Sequence, residues 1–119
     1  MIMHRNIADW RRKWLVDRDG HTIGKLEDVY VDVATGQPMF GTLNEGVIGR
    51  TLPFISLAGI TIGPRNVQVA LPRDEVKDAP VIRIRGDELS QAQESMLYRH
   101  YQFDYTPPAT ESGRMLVRR

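Results

Sequence analysis

Turn signals interrupt this chain so often that no long helix fits across most of it. Asp19-Gly20, Thr35-Gly36, Asn44-Glu45-Gly46, Ile48-Gly49-Arg50 and Gly63-Pro64-Arg65-Asn66 bracket segments rich in β-branched and aromatic residues: WRRKWLVD, TIGKLEDVYVDV, MFGTL, TLPFISL and VQVAL. Short strands separated by glycine, proline and asparagine turns at roughly 8–12-residue spacing predict a small antiparallel barrel or sandwich. The alternation is cleanest where Val67, Val69 and Leu71 face one way and Gln68 and Ala70 the other.

At 119 residues the chain is long enough for one modest core and too short for two. A hydrophobic content of 41% with 26% charged residues is that of an ordinary folded protein rather than a disordered one. No apolar run reaches membrane-spanning length, and MIMHRNIADW lacks the apolar centre of a signal peptide, so a cytoplasmic location without membrane insertion is expected. With no cysteine, disulfides, thiolate nucleophiles and Cys-ligated metal centres are excluded.

A net charge of +1 gives no long-range attraction to nucleic acid or to an anionic membrane. The charges are nevertheless segregated: Arg5, Arg11, Arg12 and Lys13 precede Asp17, Asp19, Glu27, Asp28, Asp32 and Glu45. Pairing of the two segments as neighbouring strands would set the cations beside these carboxylates, each exposed pair contributing at most about 1 kcal/mol.

The acidic stretch DRDGHTIGKLEDVYVDVATGQP is not a calcium loop. With Gly20 at the sixth position of an EF-hand, Leu15 and Leu26 occupy the first and twelfth, where oxygen ligands are required. Ile23, Leu26, Val29, Tyr30 and Val33 fit a helical period, but Val29, Val31 and Val33 favour extended backbone. Gly24 suits a bulge that shifts the inward phase between Ile23 and Val29, so the segment is predicted to be a bulged strand.

Beyond Leu71 the character changes. Residues 73–78 form at most one helical turn stopped by Pro80, and 81–85 return to extended structure. Ser90-Gln91-Ala92-Gln93 matches a capping box, opening a helix over about 90–101 with Leu97, Tyr98 and Tyr101 as its docking stripe. The expected organisation is an N-terminal segment 1–9, a β-barrel 10–82, a helix-bearing extension 83–105, and a flexible basic tail 106–119 rich in Pro, Ser and Thr.

No catalytic, cofactor-binding or metal-ligating set is expected. His4, His21 and His100 lack metal-helix spacing, with His21 after a hairpin glycine and His100 at a helix end. Ser56 and Ser95 lie in no nucleophile elbow. The pairs Glu27/Asp28, Asp74/Glu75 and Asp87/Glu88 are adjacent residues that diverge on a strand, and GVIGRTLP reads as a hairpin rather than a phosphate cradle. Trp10 and Trp14, four apart in a predicted strand, share a face and pack on the barrel.

The blocks VDRDGHTIGKLEDVYVDVATGQP, FISLAGITIGPRNVQVALPRDEVKDAP and GDELSQAQESMLYRHY, covering about residues 10–102, resemble the PRC-barrel family. The last two are similar to its soluble, stand-alone bacterial branch. The resemblance implies a small antiparallel β-barrel with a C-terminal helix, used for binding or assembly. It also implies that Asp17-Arg18-Asp19-Gly20 and Thr35-Gly36-Gln37-Pro38 are hairpin turns and Gly24-Lys25 a bulge. The photosynthetic reaction-centre H subunit and the ribosome-maturation factor RimM carry related domains. The chain is expected to depart from both, lacking the transmembrane helix of the first and the preceding RNA-protein-binding domain of the second, and Ser56 stands where many members have proline.

The expected function is therefore that of a non-catalytic adaptor that self-associates as a homodimer and engages an unidentified protein partner. Trp10, Trp14, Met39, Phe40 and Phe54 compete for a limited interior and form the candidate interaction surface. The alternative is a ribosome- or RNA-associated accessory protein that uses Arg11, Arg12, Lys13, Arg114, Arg118 and Arg119.

Overall fold

The computed structural model describes residues 7, 9–44, 51–86 and 88–119. His4, Arg5, Asp87 and the turns expected between Glu45 and Arg50 lie outside the described residues. The strands are β1 (Trp14–Val16), β2 (Thr22–Asp32), β3 (Pro38–Asn44), β4 (Thr51–Ser56), β5 (Thr61–Ile62), β6 (Asn66–Gln68), β7 (Val81–Arg83) and β8 (Leu116–Arg118). Helix α1 spans Arg73–Lys77 and α2 spans Gln91–His100.

The chain is mainly β, as expected, but the sheet does not close into a barrel. Its order is β5-β6-β1-β2-β3-β4-β7, with β8 added to β2. All pairings are antiparallel except β1 with β6. Its two ends, β5 and β7, remain unjoined.

Both expected turns form. At the first, Asp17 Oδ1 accepts from the backbone N–H groups of Asp19 and His21 at 2.9 Å each, and Gly20 takes φ +89°. At the second, Asp32 Oδ1 accepts from Ala34 and Thr35 N–H, and Gly36 takes φ +75°. In each, an aspartate folds its carboxylate onto the turn backbone and glycine supplies the left-handed conformation that a Cβ would strain.

The pairings of the long strand β2 carry three irregularities, one of them opposite β3 between Tyr30 and Val31, where Met39 is the extra residue. Opposite β1, Gly24 faces Leu15 and Thr22 faces Val16, leaving Ile23 as the extra residue. Opposite β3, Leu26 faces Leu43 and Val29 faces Gly41, so Glu27 and Asp28 oppose the single residue Thr42. The phase shift responsible for the helical-looking period thus lies mainly at Glu27-Asp28, three residues beyond the expected glycine. The Asp28 N–H freed by this bulge donates to the buried Thr42 hydroxyl at 3.1 Å.

Alternation along β2, β3 and β4 buries both sheet faces. Leu26, Val29, Val31, Leu43 and Ile55 join Leu15, Val67, Val69 and Trp10 in one core. Tyr30, Phe40 and Phe54 point the other way, into a second core closed by Leu97 and Tyr98 of α2 with Ile82, Ile84, Leu89 and Leu116. Two-sided burial explains the near-continuous apolar runs in these strands. Helix α2 starts at the expected box: Ser90 Oγ accepts from Gln93 N–H at 3.1 Å, and Gln93 Oε1 accepts from Ser90 N–H at 2.9 Å.

The flexible tail expected at 106–119 is corrected. Residues 116–118 pair with Tyr30–Asp32 on the same edge of β2 that β1 occupies further back. The anchor is Glu94, fully buried on α2, which accepts from Tyr105 Oη at 2.6 Å, Leu116 N–H at 2.9 Å and Met115 N–H at 3.0 Å. A three-residue strand has no periodic apolar signature, so a buried acceptor in a distant helix decides its placement.

Candidate functional site

The expected aromatic surface is mostly interior. Trp10, Phe40 and Phe54 are buried in the two cores, and Met39 packs partly buried against the second. The pairing of Trp10 and Trp14 on one face is overturned, because β1 starts only at Trp14 and Trp10 belongs to the preceding turn. Trp14 alone stays open, 46% exposed, with Lys25 Nζ 5.0 Å from its ring centre.

The cations are partly brought together and partly consumed. Arg11 and Arg118 converge on Asp28, at 3.6 and 3.8 Å from its two oxygens, so the expected pairing of basic segment with acidic strand forms at this carboxylate. Lys13 Nζ donates to Gly63 O, and Arg114 donates to the carbonyls of Leu89, Glu111 and Gly113. Arg12 adopts φ +70°, with its N–H on Leu26 O. Arg119 is exposed, its backbone N–H on Val29 O.

A groove not foreseen from the sequence opens between the first hairpin and α1. Its cavity of about 340 Å³ has an apolar lining that includes Ile23, Leu43, Pro53, Val76 and Val81, with Arg73 and Lys77 at i,i+4 on α1. Asp17 and His21 also line it. This volume falls within the range of small-ligand and side-chain pockets.

Strand β7 borders the groove and, among the described residues, pairs with a strand on its β4 side alone. Phe54 N–H donates to Pro80 O at 2.9 Å, which sets the antiparallel alternation with β4. The Leu52/Ile82 pair therefore exchanges ladder bonds, while the backbone groups of Val81 and Arg83 point away from β4. Arg83 O accepts weakly from Gln93 Nε2 at 3.4 Å. Pro53 fits in β4 because it lies at a position where no ladder N–H toward β7 is needed. Val81, at 59% exposed, is the most exposed large apolar side chain among the described residues.

Asp17 is the strongest electrostatic feature of the groove. Burial of its carboxyl tends to raise the pKa, yet hydrogen bonds from His21 and Asp19 N–H and the nearby His21 charge outweigh this and hold it below the ordinary value. Its Oδ2 is buried without a hydrogen-bond partner and lies 3.5 Å from His21 Nδ1. One oxygen each of Asp17 and Asp19 and a ring nitrogen of His21 lie within 4.8 Å of one another.

The tyrosines of the C-terminal region are committed to packing. Tyr98 Oη donates to Asp32 Oδ2 at 2.8 Å, and burial followed by that carboxylate raises its pKa above the usual phenol range. Burial and Glu94 raise Tyr105 likewise. Tyr101 donates to Phe54 O at 2.6 Å and is pushed up to about 12, chiefly by burial. These phenols remain protonated donors at neutral pH, and their bonds tie α2 and its following segment to the sheet.

No family model, curated protein or solved structure matches this chain. Its own geometry carries the functional reading. Among the described residues, no helix is long and apolar enough to cross a membrane.

Proposed function

We propose that this chain is a non-catalytic assembly module of the PRC-barrel type that self-associates through the free edge of β7 and the adjoining groove. The observation that carries the reading is the outward-facing backbone of Val81 and Arg83 beside an apolar groove and an exposed valine. An unpaired strand edge with an apolar side chain attracts another strand. The occupant favoured by the geometry is a second copy. Antiparallel pairing of β7 with its symmetry mate about Ile82 sets Val81 of one chain opposite Arg83 of the other, so no like charges meet. The bulged second strand, the two glycine turns and the capped C-terminal helix support the family resemblance, although the sheet stays open.

Sedimentation equilibrium across micromolar concentrations tests this reading. The native chain should approach twice 13.6 kDa, while Val81→Lys, a change at an exposed position, should stay at the monomer mass. A native mass fixed at 13.6 kDa rejects self-association, and an unchanged dimer in Val81→Lys rejects the β7 edge as its site.

The RNA- or ribosome-associated reading rests on the convergence of Arg11 and Arg118. Asp28 lies between them, and Lys13 and Arg114 are spent on carbonyls, which lowers the charge available to phosphate. A steep negative salt slope of RNA binding would favour it.

A further inference from the structure

We propose that Asp17, Asp19 and His21 bind a divalent first-row transition-metal ion of the zinc type at the tip of the first hairpin. The observation that points to a ligand is Asp17 Oδ2. The side chain is 1% exposed, and this oxygen is met by His21 Nδ1 at 3.5 Å, a contact too long to satisfy it as a full hydrogen bond. A buried carboxylate oxygen without a donor is costly, whereas a cation held jointly with the imidazole satisfies it.

The geometry suits a small ion. Tetrahedral zinc with bonds of 2.0–2.1 Å separates its donor atoms by about 3.3 Å. Asp17 Oδ2 and His21 Nδ1 are 3.5 Å apart, close to that bite before any adjustment. A carboxylate oxygen of Asp19 lies within 4.8 Å of one oxygen of Asp17 and one ring nitrogen of His21, on an exposed side chain that is free to close the remaining distance. Water would complete the set. Meanwhile the two backbone N–H groups on Asp17 Oδ1 hold the carboxylate in one orientation and leave Oδ2 as the oxygen it offers.

The donor set also chooses the class of ion. Calcium takes six to eight oxygens, which two carboxylates and an imidazole do not provide, and magnesium binds few nitrogen ligands. One imidazole with two carboxylates fits zinc, cobalt or nickel. Among the described residues no arginine or lysine forms an ion pair with Asp17 or Asp19, so their charge is available to a cation. The turn uses residues i, i+2 and i+4, a spacing that brings three side chains together only because Asp17 folds back on its own loop. The missing EF-hand ligands, the absence of cysteine and the lack of a helix-borne histidine pair, which underlie the expectation of no metal, do not bear on a site built within one turn.

The test uses the full chain, stripped with chelator and titrated at pH 7.5 with ZnCl2 by calorimetry and with CoCl2 by visible absorption. One ion per chain should bind, and MgCl2 and CaCl2 should bind at least a hundredfold more weakly. His21→Ala should weaken zinc binding at least tenfold and reduce the cobalt absorption, Asp19→Asn should weaken it less, and His100→Ala should change nothing. His21 and Asp19 are exposed, so these variants keep the fold even if Asp17→Asn does not. Lack of zinc binding, zinc binding unaltered in His21→Ala, or equal affinity for calcium would each overturn the proposal. Because Asp17 and His21 also line the groove proposed for self-association, the titrations are repeated in Val81→Lys, where an unchanged zinc affinity separates the metal site from the β7 edge.

Discussion

Replacing Glu94 by alanine should detach the C-terminal strand and destabilise the chain severely. Glu94 is fully buried and accepts from one hydroxyl and two backbone N–H groups. Hydrogen bonds to a charged acceptor are worth roughly 1.5–3 kcal/mol each, so the gross loss is about 5–9 kcal/mol. The chain does not lose all of it, because residues 115–119 can peel away and rehydrate their amides. Peeling sacrifices the burial of Leu116 and the ladder between β8 and β2, and the backbone entropy regained by the released residues offsets part of the loss. The net cost for Glu94→Ala should be about 3–4 kcal/mol, in line with the loss of one partner in other buried charged networks. Given a urea m-value of about 1.5 kcal/mol/M, the midpoint should fall by about 2 M with m nearly unchanged. Glu94→Gln, which keeps one acceptor oxygen, should lose about half as much. Introducing Glu94→Ala into a chain shortened by residues 115–119 separates the causes. If Glu94 acts chiefly by holding β8, the substitution should cost there no more than the remaining Tyr105 bond, about 1–2 kcal/mol. A loss below about 1 kcal/mol in the full chain, or full additivity in the shortened one, would refute the argument.

Tyr98→Phe removes the donor from Asp32 Oδ2, and thermal or urea unfolding should show a loss of about 1–2 kcal/mol. Gly41→Ala sets a Cβ 2.6 Å from a terminal methyl of the buried Leu26 and 3.3 Å from one of Leu57, and urea unfolding should register a loss of about 1–3 kcal/mol. Asp17 has a folded pKa below its ordinary 3.8, so its contribution is present above that value and disappears as pH falls through the folded one. In chelator, Asp17→Asn should therefore flatten the acid limb of the stability profile below about pH 4, and an unchanged limb would contradict the assigned hydrogen bonds.

Features encoded by neighbouring residues were legible in the sequence. Asp-Gly and Thr-Gly mark the hairpins because glycine alone takes the required φ easily, and Ser90 with Gln93 marks the start of α2 because both capping bonds lie within one turn. Features that join distant residues were not. The Asp28 bulge is set by the Thr42 hydroxyl on another strand, and residues 116–118 by Glu94. The aromatic residues were misread because a two-sided sheet provides two interiors, which accommodate Trp10, Phe40 and Phe54 together. The groove was hidden for the same reason, since Ile23, Pro53, Val76 and Val81 come from four separate segments.

Strand β2 receives β1 near its start and β8 near its end, and the latter is the most sequence-distant strand pairing among the described residues. Closing so long a loop costs entropy before its contacts form, so topology of this kind folds slowly. During synthesis the β1–β4 hairpins can assemble as soon as they emerge, but Tyr30, Val31 and Asp32 keep an open backbone edge until residues 116–118 follow. A nascent chain stalled before residue 115 therefore presents a sticky strand that the finished protein hides. Docking of residues 116–118 on β2 is the step that ends this exposure to aggregation.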